Sequence, residues 1–276
     1  MSVAQRVSAP ITAIMLGFLT ACVSKSNTPE SLPMGVARER VGEVSVLVAG
    51  PDRGPAIIYV HGTPGSATQW ESYLERPVAG TRSIAVDRPG FGQSGDDAVT
   101  SFGEQAAALE PLFDARDGRR PILVGHSLGG PIVARAAADF PDRVGGIVIL
   151  AGSLDPALEK PRWYNHLAGG VRGMLKPSIR NSNDEIMAAP EETVALASVL
   201  DRVTCPVVIL HGRKDGLVPV ANVDFMHRAF TSAAAIDATM LDDAGHLLIW
   251  RREAETRGAI GRAMELGWGG GGGGKH

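Results

Sequence analysis

Residues 122–131 read Ile-Leu-Val-Gly-His-Ser-Leu-Gly-Gly-Pro, and they are the most informative segment of the chain. An apolar run enters a Gly-His-Ser-Leu-Gly turn, and apolar residues at helical spacing follow it. Strand, sharp turn and helix form the context in which a Gly-x-Ser-x-Gly motif exposes its serine as a nucleophile. Gly125 and Gly129 fit this turn, because strand and helix backbones approach too closely there for Cβ atoms. Ser127 is the predicted nucleophile; the simpler alternative is a serine that only caps the helix.

A serine hydroxyl needs a general base, and the base needs a third group that holds its tautomer. Of the seven histidines, His246 follows the last predicted strand in Asp-Asp-Ala-Gly-His. The chain order serine, acid, histidine places the base there. We therefore predict His246 as the base, against the alternative of a surface-loop histidine. The other histidines considered are not predicted to be the base. His126 is expected to point away from the site, and His211 to pack near a strand end. His166 and His227 are expected to lie in an insert or a helix.

The acid is predicted to be Asp215, in the segment His-Gly-Arg-Lys-Asp-Gly-Leu-Val-Pro at 211–219. This segment follows a predicted strand, at the carboxyl end of the sheet where sites are built. Asp155, after the preceding strand, is the competing candidate. Asp242 and Asp243 are disfavoured because they are too near His246 in the sequence to reach its far ring nitrogen.

Residues 61–65, His-Gly-Thr-Pro-Gly, directly follow the strand 57–60. We call them the donor loop, because a backbone N–H of this loop is predicted to donate a hydrogen bond to the substrate oxygen. The backbone N–H of Thr63, with that of Leu128, would form an oxyanion hole. The alternative is a simple Pro-Gly turn.

Strands and helices alternate along the chain, which predicts an α/β fold with a mostly parallel central sheet flanked by helices. The predicted strands are 44–48, 57–60, 83–86, 122–124, 147–150, 207–210 and 235–241, and the predicted helices are 102–115, 131–139, 220–230 and 247–264. The segment 153–201 interrupts this alternation without a convincing buried strand, and it carries enough apolar residues for a small helical cap. The folded domain is expected over 41–268.

The N-terminal residues 1–21 read as a secretion signal, with Arg6 before an apolar stretch at 9–21. That stretch is shorter than the ~20 apolar residues of a membrane-spanning helix. Leu-Thr-Ala-Cys at 19–22 resembles the lipobox of bacterial lipoproteins, which implies lipidation of Cys22 and an exported, membrane-anchored protein. Plain secretion or a soluble periplasmic location is the alternative. Residues 22–40 are expected to be a flexible tether, and the Gly-rich 269–276 a disordered tail.

A formal net charge of −3 and the absence of a Lys/Arg-rich run disfavour nucleic acid as a partner. The chain has only two cysteines, so no disulfide framework is expected. Cys205, in an apolar run, is predicted to be a buried small hydrophobic residue.

Together these motifs resemble the α/β-hydrolase superfamily, in its lid-bearing branch of esterases, carbon–carbon bond hydrolases and haloperoxidase-like enzymes. The resemblance covers about 44–264. In addition, 87–94 (Asp-Arg-Pro-Gly-Phe-Gly-Gln-Ser) resembles the family's turn after the fourth strand, which packs beside the oxyanion loop, and 215–219 resembles its acid loop. Epoxide hydrolases and haloalkane dehalogenases are disfavoured, because those branches carry Asp where this chain has Ser127.

The resemblance implies a serine hydrolase that cleaves an ester-like acyl bond of a small molecule, with no metal and no organic cofactor. It transfers the mechanism and not the substrate. Acyl transfer or carbon–carbon hydrolysis by the same triad is the nearest alternative. A non-catalytic binding protein on the same fold is a more distant one.

Overall fold

The computed structural model describes residues 31–161, 163–170 and 172–269. In this part of the chain one sheet contains the strands β1 (Val36–Val41), β2 (Val44–Ala49), β3 (Ala56–Val60), β4 (Arg82–Asp87), β5 (Ile122–His126), β6 (Gly146–Leu150), β7 (Val207–Gly212) and β8 (Ile236–Leu241). The strand order is β1-β2-β4-β3-β5-β6-β7-β8. β2 is antiparallel to both of its neighbours, and β3 to β8 run parallel. The predicted mostly parallel sheet is confirmed.

Helices cover both faces of this sheet. They are α1 (Glu71–Glu75), α2 (Phe102–Leu109), α3 (Gly129–Asp139), α4 (Trp163–Gly170), α5 (Pro177–Ala197), α6 (Ala221–Ala229), α7 (Leu248–Arg251) and α8 (Glu253–Trp268). Because strand side chains alternate, Ile58 and Val60 join α2, α3 and α6 in one core cluster. Tyr59 points the other way and packs on Trp70 and Tyr73, with ring centroids 5.0 and 5.7 Å apart.

The register of the parallel strands brings their carboxyl ends to one edge of the sheet. Val60 at the end of β3 pairs with Gly125 of β5, and Gly212 at the end of β7 pairs with Leu241 at the end of β8. The loops after these strands therefore lie side by side. They are the loops for which the sequence predicts the oxyanion donor, the nucleophile, the acid and the base.

The segment between β6 and β7 contains α4 and α5, together with short 3-10 turns at Arg172–Met174 and Leu200–Arg202. None of its described residues is in a strand, as predicted. One face of α5 is buried, at positions three or four residues apart: Asn181, Glu185, Ala189, Thr193 and Leu196. We call α4 and α5 the helical insert. Asn181 fixes the insert to the sheet edge, because its Nδ2 donates to the carbonyl of Gly90 at 2.7 Å.

The predicted tether is wrong at its C-terminal end. β1 occupies Val36–Val41 and pairs with β2, so the fold begins before the predicted boundary at residue 41. The sequence does not indicate this strand, because it is an edge strand with charged residues, Arg38-Glu39-Arg40, at its centre. It therefore lacks the continuous apolar run that indicates the buried strands.

Two predicted helices differ in length or continuity from those observed. The helix predicted over 102–115 ends at Leu109 and continues as a 3-10 turn, Glu110–Leu112. Pro111 explains this, since proline has no N–H for the helix ladder and restricts the residue before it. The helix predicted over 247–264 is divided into α7 and α8 around Arg252, whose backbone is not helical.

Cys205 is buried, as predicted, and burial raises the pKa of its thiol to about 12. The signal segment 1–21, the lipidation site Cys22 and residues 270–276 of the tail lie outside the described residues, and these assignments stay predictions. None of the helices within the described ranges combines the length and apolar character that crossing a bilayer requires.

Candidate active site

Ser127 occupies the tight turn between β5 and α3. Its φ is +54°, a left-handed conformation that is uncommon for any residue except glycine. A Cβ on Gly125 would lie 2.2 Å from the carbonyl oxygen of Gly129, and a Cβ on Gly129 would lie 2.4 Å from that of Val60. The two glycines are required by close backbone approach, as the sequence predicts. The strained serine is held at the sheet edge, because its N–H donates to the carbonyl oxygen of Leu150 at 2.9 Å.

His246 and Asp215 meet although they are far apart in the chain. Nδ1 of His246 is 2.8 Å from Oδ2 of Asp215. The carboxylate is completely buried, and the imidazole is 10% exposed. The other carboxylate oxygen, Oδ1, accepts from the N–H groups of Leu217 and Val218, both at 2.9 Å. The Asp215 carboxylate is therefore fixed by its own loop as well as by His246.

These contacts determine which protonation states are favoured. Burial alone would raise the pKa of Asp215, but the hydrogen bond and charge of His246, with the two backbone N–H groups, lower it below the ordinary value. An ionised Asp215 can only accept, so Nδ1 of His246 carries the proton. Whenever the ring is neutral, Nε2 is therefore the unprotonated nitrogen, as a general base requires.

Ser127 and His246, the predicted nucleophile and base, are not joined by a hydrogen bond. Among the described residues, the Ser127 hydroxyl has no hydrogen-bond partner. The loop that carries Ser127 nevertheless contacts His246, because the ring of the adjacent His126 lies 5.0 Å from that of His246. The structure thus assembles the acid–histidine pair beside the serine turn, and a bond from Ser127 would complete the series. Such bonds are often long in ligand-free sites and tighten when substrate binds.

The two candidate oxyanion donors flank the serine. A Cβ on Gly62 would lie 2.9 Å from Cβ of Ser127 and 3.5 Å from its Oγ, so the loop before Thr63 runs directly against Ser127. Neither the N–H of Thr63 nor that of Leu128 donates to another residue that the structure describes. The Thr63 hydroxyl is buried and likewise unpaired within those residues. Both backbone donors are available to a ligand.

The loop 87–94 packs beside this donor loop, as the resemblance implies. Asp87 accepts from the N–H of Ala67 at 2.7 Å and from that of Gln93 at 3.0 Å. Arg88 donates to the carbonyls of His61 and Gly62, both at 2.9 Å.

The sequence prediction for His126 is wrong: the ring turns toward the site. Its Nε2 lies 2.9 Å from the carbonyl oxygen of His246, and its ring packs edge-on against Trp250, with centroids 5.7 Å apart. Burial, with the nearby charge of His246, lowers the pKa of His126 to about 3, so the ring is neutral. The sequence offered one signal, the position next to the nucleophile, but not the direction of the ring.

His211 packs at the end of β7, as predicted, but it also supports the acid loop. Its Nε2 lies 3.1 Å from the carbonyl of Val218 and 3.6 Å from Oδ2 of Asp215. Burial lowers its pKa.

The rejected acid candidates make other contacts: Asp155 accepts from the N–H of Ala157, Asp242 pairs with Arg213, and Asp243 pairs with Arg252. His166 and Asn165 lie in α4 of the insert, and His227 lies in α6.

No group of three or more His, Cys, Asp or Glu side chains in the described ranges could hold a metal ion.

Residues 55–176 match the family model described as alpha/beta hydrolase fold. The mostly parallel sheet with helices on both faces, and a serine turn after β5, agree with that match. The chain has the α/β-hydrolase fold. The matched segment includes the donor loop and the serine turn of this α/β-hydrolase fold. It ends before the loops that carry Asp215 and His246, so the acid–histidine pair rests on the geometry alone.

Known proteins of several activities are similar to the chain. A haloalkane dehalogenase of Mesorhizobium japonicum is 30% identical over 132 residues, which are 46% of this chain and 42% of that protein. A pimeloyl-[acyl-carrier protein] methyl ester esterase of Vibrio parahaemolyticus is 27% identical over 206 residues, 61% of this chain and 79% of that protein. Among solved structures, an esterase of M. tuberculosis superposes with a TM-score of 0.61 at 21% identity, over 82% of this chain and 91% of that one. The chain spans less than half the length of the first two curated relatives that it matches.

Proposed function

We propose that the protein is a serine hydrolase that cleaves an ester-like acyl bond of a small molecule. The observation that carries this proposal is the buried Asp215–His246 pair beside a serine held at positive φ. Aspartate, histidine and serine come from three separate loops. A structural role for any one of them would not explain why they converge at one edge of the sheet.

In the first half-reaction, Oγ of Ser127 attacks the acyl carbonyl while Nε2 of His246 takes the hydroxyl proton. Asp215 holds the other ring nitrogen and stabilises the imidazolium that forms. The negative charge on the former carbonyl oxygen is stabilised by the N–H groups of Thr63 and Leu128. His246 then gives its proton to the leaving alkoxide, and an acyl-enzyme remains.

In the second half-reaction, His246 takes a proton from water, and the resulting hydroxide attacks the acyl group on Ser127. The same two N–H groups stabilise the second oxyanion. Return of the proton to Oγ releases the carboxylic acid and restores the free serine. No metal or organic cofactor is needed for either half-reaction.

The nucleophile favours an ester over a haloalkane, although one relative is a dehalogenase. The family resemblance implies that haloalkane dehalogenases carry an aspartate at the position of the nucleophile, whereas this chain has Ser127 there. The esterase relative matches a longer part of the chain, over 206 residues against 132 for the dehalogenase. We propose that the helical insert acts as the lid that selects the substrate.

The first test is turnover of p-nitrophenyl butyrate by the wild type and by Ser127→Ala. We expect kcat to fall by at least about 10⁴-fold, because the base has no nucleophile to activate. Ser198→Ala is the matched control: this serine is exposed at the end of α5, bonds only the carbonyl of Ala195 within the described residues, and should leave kcat unchanged.

A fluorophosphonate probe should label the wild type and not Ser127→Ala. Equal turnover in the two proteins would remove Ser127 from the mechanism. Product analysis with defined esters and vinylogous diketones then separates ester hydrolysis from carbon–carbon hydrolysis, because the two reactions release different products.

A further inference from the structure

A buried ion pair joins the helical insert to the donor loop. The side chains of Arg88, after β4, and Glu185, in the middle of α5, are both completely buried. Nη1 of Arg88 contacts one carboxylate oxygen closely, and Nη2 lies 3.2 Å from the other. Gln105 of α2 bonds both partners. The catalytic steps above do not use this pair, yet burying two charges is costly unless every donor and acceptor is satisfied.

The remaining donors of Arg88 are directed at the donor loop. Nε donates to the carbonyl of His61 and Nη2 to the carbonyl of Gly62, both at 2.9 Å. The planar guanidinium therefore holds two successive carbonyls on one side and the carboxylate of Glu185 on the other. Lysine could not hold all three at once, because its single ammonium lacks this fork.

The Gly62 carbonyl belongs to the same peptide unit as the N–H of Thr63. In a planar trans peptide, these two groups point in opposite directions. Fixing the carbonyl toward Arg88 therefore fixes the direction of the Thr63 N–H, and Gly62 itself lies against Ser127.

His61 adds a second donor to the same carbonyl. The N–H of Arg88 lies 3.1 Å from Nε2 of His61, so this nitrogen must accept and the proton must be on Nδ1. Nδ1–H then donates to the Gly62 carbonyl at 2.7 Å. Burial and the Arg88 charge lower the pKa of His61 well below its ordinary value, which keeps this neutral tautomer.

We propose that Arg88, held by Glu185 of the insert, is a positioning residue for the oxyanion hole: it orients the Gly62–Thr63 peptide and strengthens the Thr63 N–H as a donor. A cation on the carbonyl polarises the whole amide, so the N–H at its other end becomes a better donor. The inference rests on the proposed function, since it assigns Thr63 to the oxyanion. It also makes docking of the insert a requirement for full activity.

The test compares the full-length wild type with Arg88→Met/Glu185→Met, which removes both charges and leaves no unpaired buried ion. We expect kcat for p-nitrophenyl butyrate to fall about 10- to 100-fold, because one oxyanion donor is misdirected. KM should change little, since ground-state binding is untouched. Arg82→Met is the matched control. Arg82 lies at the opposite end of β4, pairs with Glu39 and Asp52, and should keep wild-type kcat.

Arg88→Lys provides a second variant if the double variant does not fold; it keeps the charge, and its kcat should also fall. The ¹⁵N resonance of the Thr63 amide gives a readout that needs no activity, and it should shift in both Arg88 variants but not in Arg82→Met. A folded Arg88 variant with wild-type kcat, or with an unmoved Thr63 resonance, would overturn the inference. If Ser127→Ala hydrolyses the ester as fast as wild type, the proposed function fails instead, and the resonance still decides whether Arg88 orients the peptide.

Discussion

The Asp215 carboxylate is held by three donors that come from two loops. Leu217 and Val218 bond one oxygen, and His246 bonds the other. His211 packs against the same loop from the strand end. Because the carboxylate is buried and its loop is fixed, Asp215 presents one oxygen to His246 in a defined direction. This is the property required of a group that sets a tautomer.

Asp215→Asn should lower kcat about 10³- to 10⁴-fold, because an amide in place of the carboxylate favours the wrong histidine tautomer. Asp155→Asn is the control, since Asp155 is the competing acid in the sequence and bonds the N–H of Ala157 instead. Ester turnover and circular dichroism of both variants would check this. The assignment of the acid is wrong if the Asp155 variant loses activity and the Asp215 variant keeps it.

Close contacts between backbones hold the loops of the site together. The turn from β5 to α3 lies against the end of β3, where Gly129 faces the carbonyl of Val60. The ends of β7 and β8 are as close: a Cβ on Gly212 would lie 2.3 Å from the carbonyl oxygen of Ala244, and the N–H of Lys214 donates to that oxygen at 2.9 Å. Small residues at these points let the elements approach.

Gly129→Ala should therefore lower the free energy of unfolding by about 1–3 kcal/mol or more, because backbone atoms must move to admit the methyl group. Gly258→Ala is the matched substitution in α8, where no atom lies within 4 Å of the added Cβ. There we expect a gain of about 0.5–1 kcal/mol from helix propensity. Urea unfolding followed by circular dichroism measures both. Similar changes in the two variants would contradict the close packing at the serine turn.

The folded molecule keeps three histidines buried and neutral: His61, His126 and His211. Burial lowers the pKa of each below its ordinary value, to about 3 for His126. In the unfolded chain each would take up a proton near pH 6.5. Below that pH the unfolded state binds more protons than the folded state, so stability must fall as the pH decreases.

The free energy of unfolding should be constant between about pH 7.5 and pH 8 and fall below about pH 6.5, by up to about 1.4 kcal/mol per pH unit for each histidine. Urea titrations between pH 8 and pH 5 measure the slope. His126→Phe should keep the ring contact with Trp250 and reduce the slope by about one histidine's share. A slope that is flat to pH 5 in the wild type would show that these rings are protonated in the folded state as readily as in the unfolded one.

Local patterns were sufficient to locate the buried strands, the serine turn and the loops after β3, β7 and β8. Continuous apolar runs indicate strands covered on both faces, and these were found to within about two residues. Two features of the fold are not indicated by local patterns. β1 is a charged edge strand whose partner lies across a turn, and α8 is separated from α7 at Arg252 without a proline to mark the break.

The sequence by itself determined the order of elements and the residue types at the serine, acid and histidine positions, because strand periodicity and turn chemistry depend on near neighbours. Only the tertiary structure decided which side chains meet. It turned His126 toward His246, placed Asp215 rather than Asp155 against the His246 ring, and brought Glu185 to Arg88 across 97 positions of the chain. The physical reason is that such contacts depend on strand register and helix packing, and neither is encoded within any short stretch of residues.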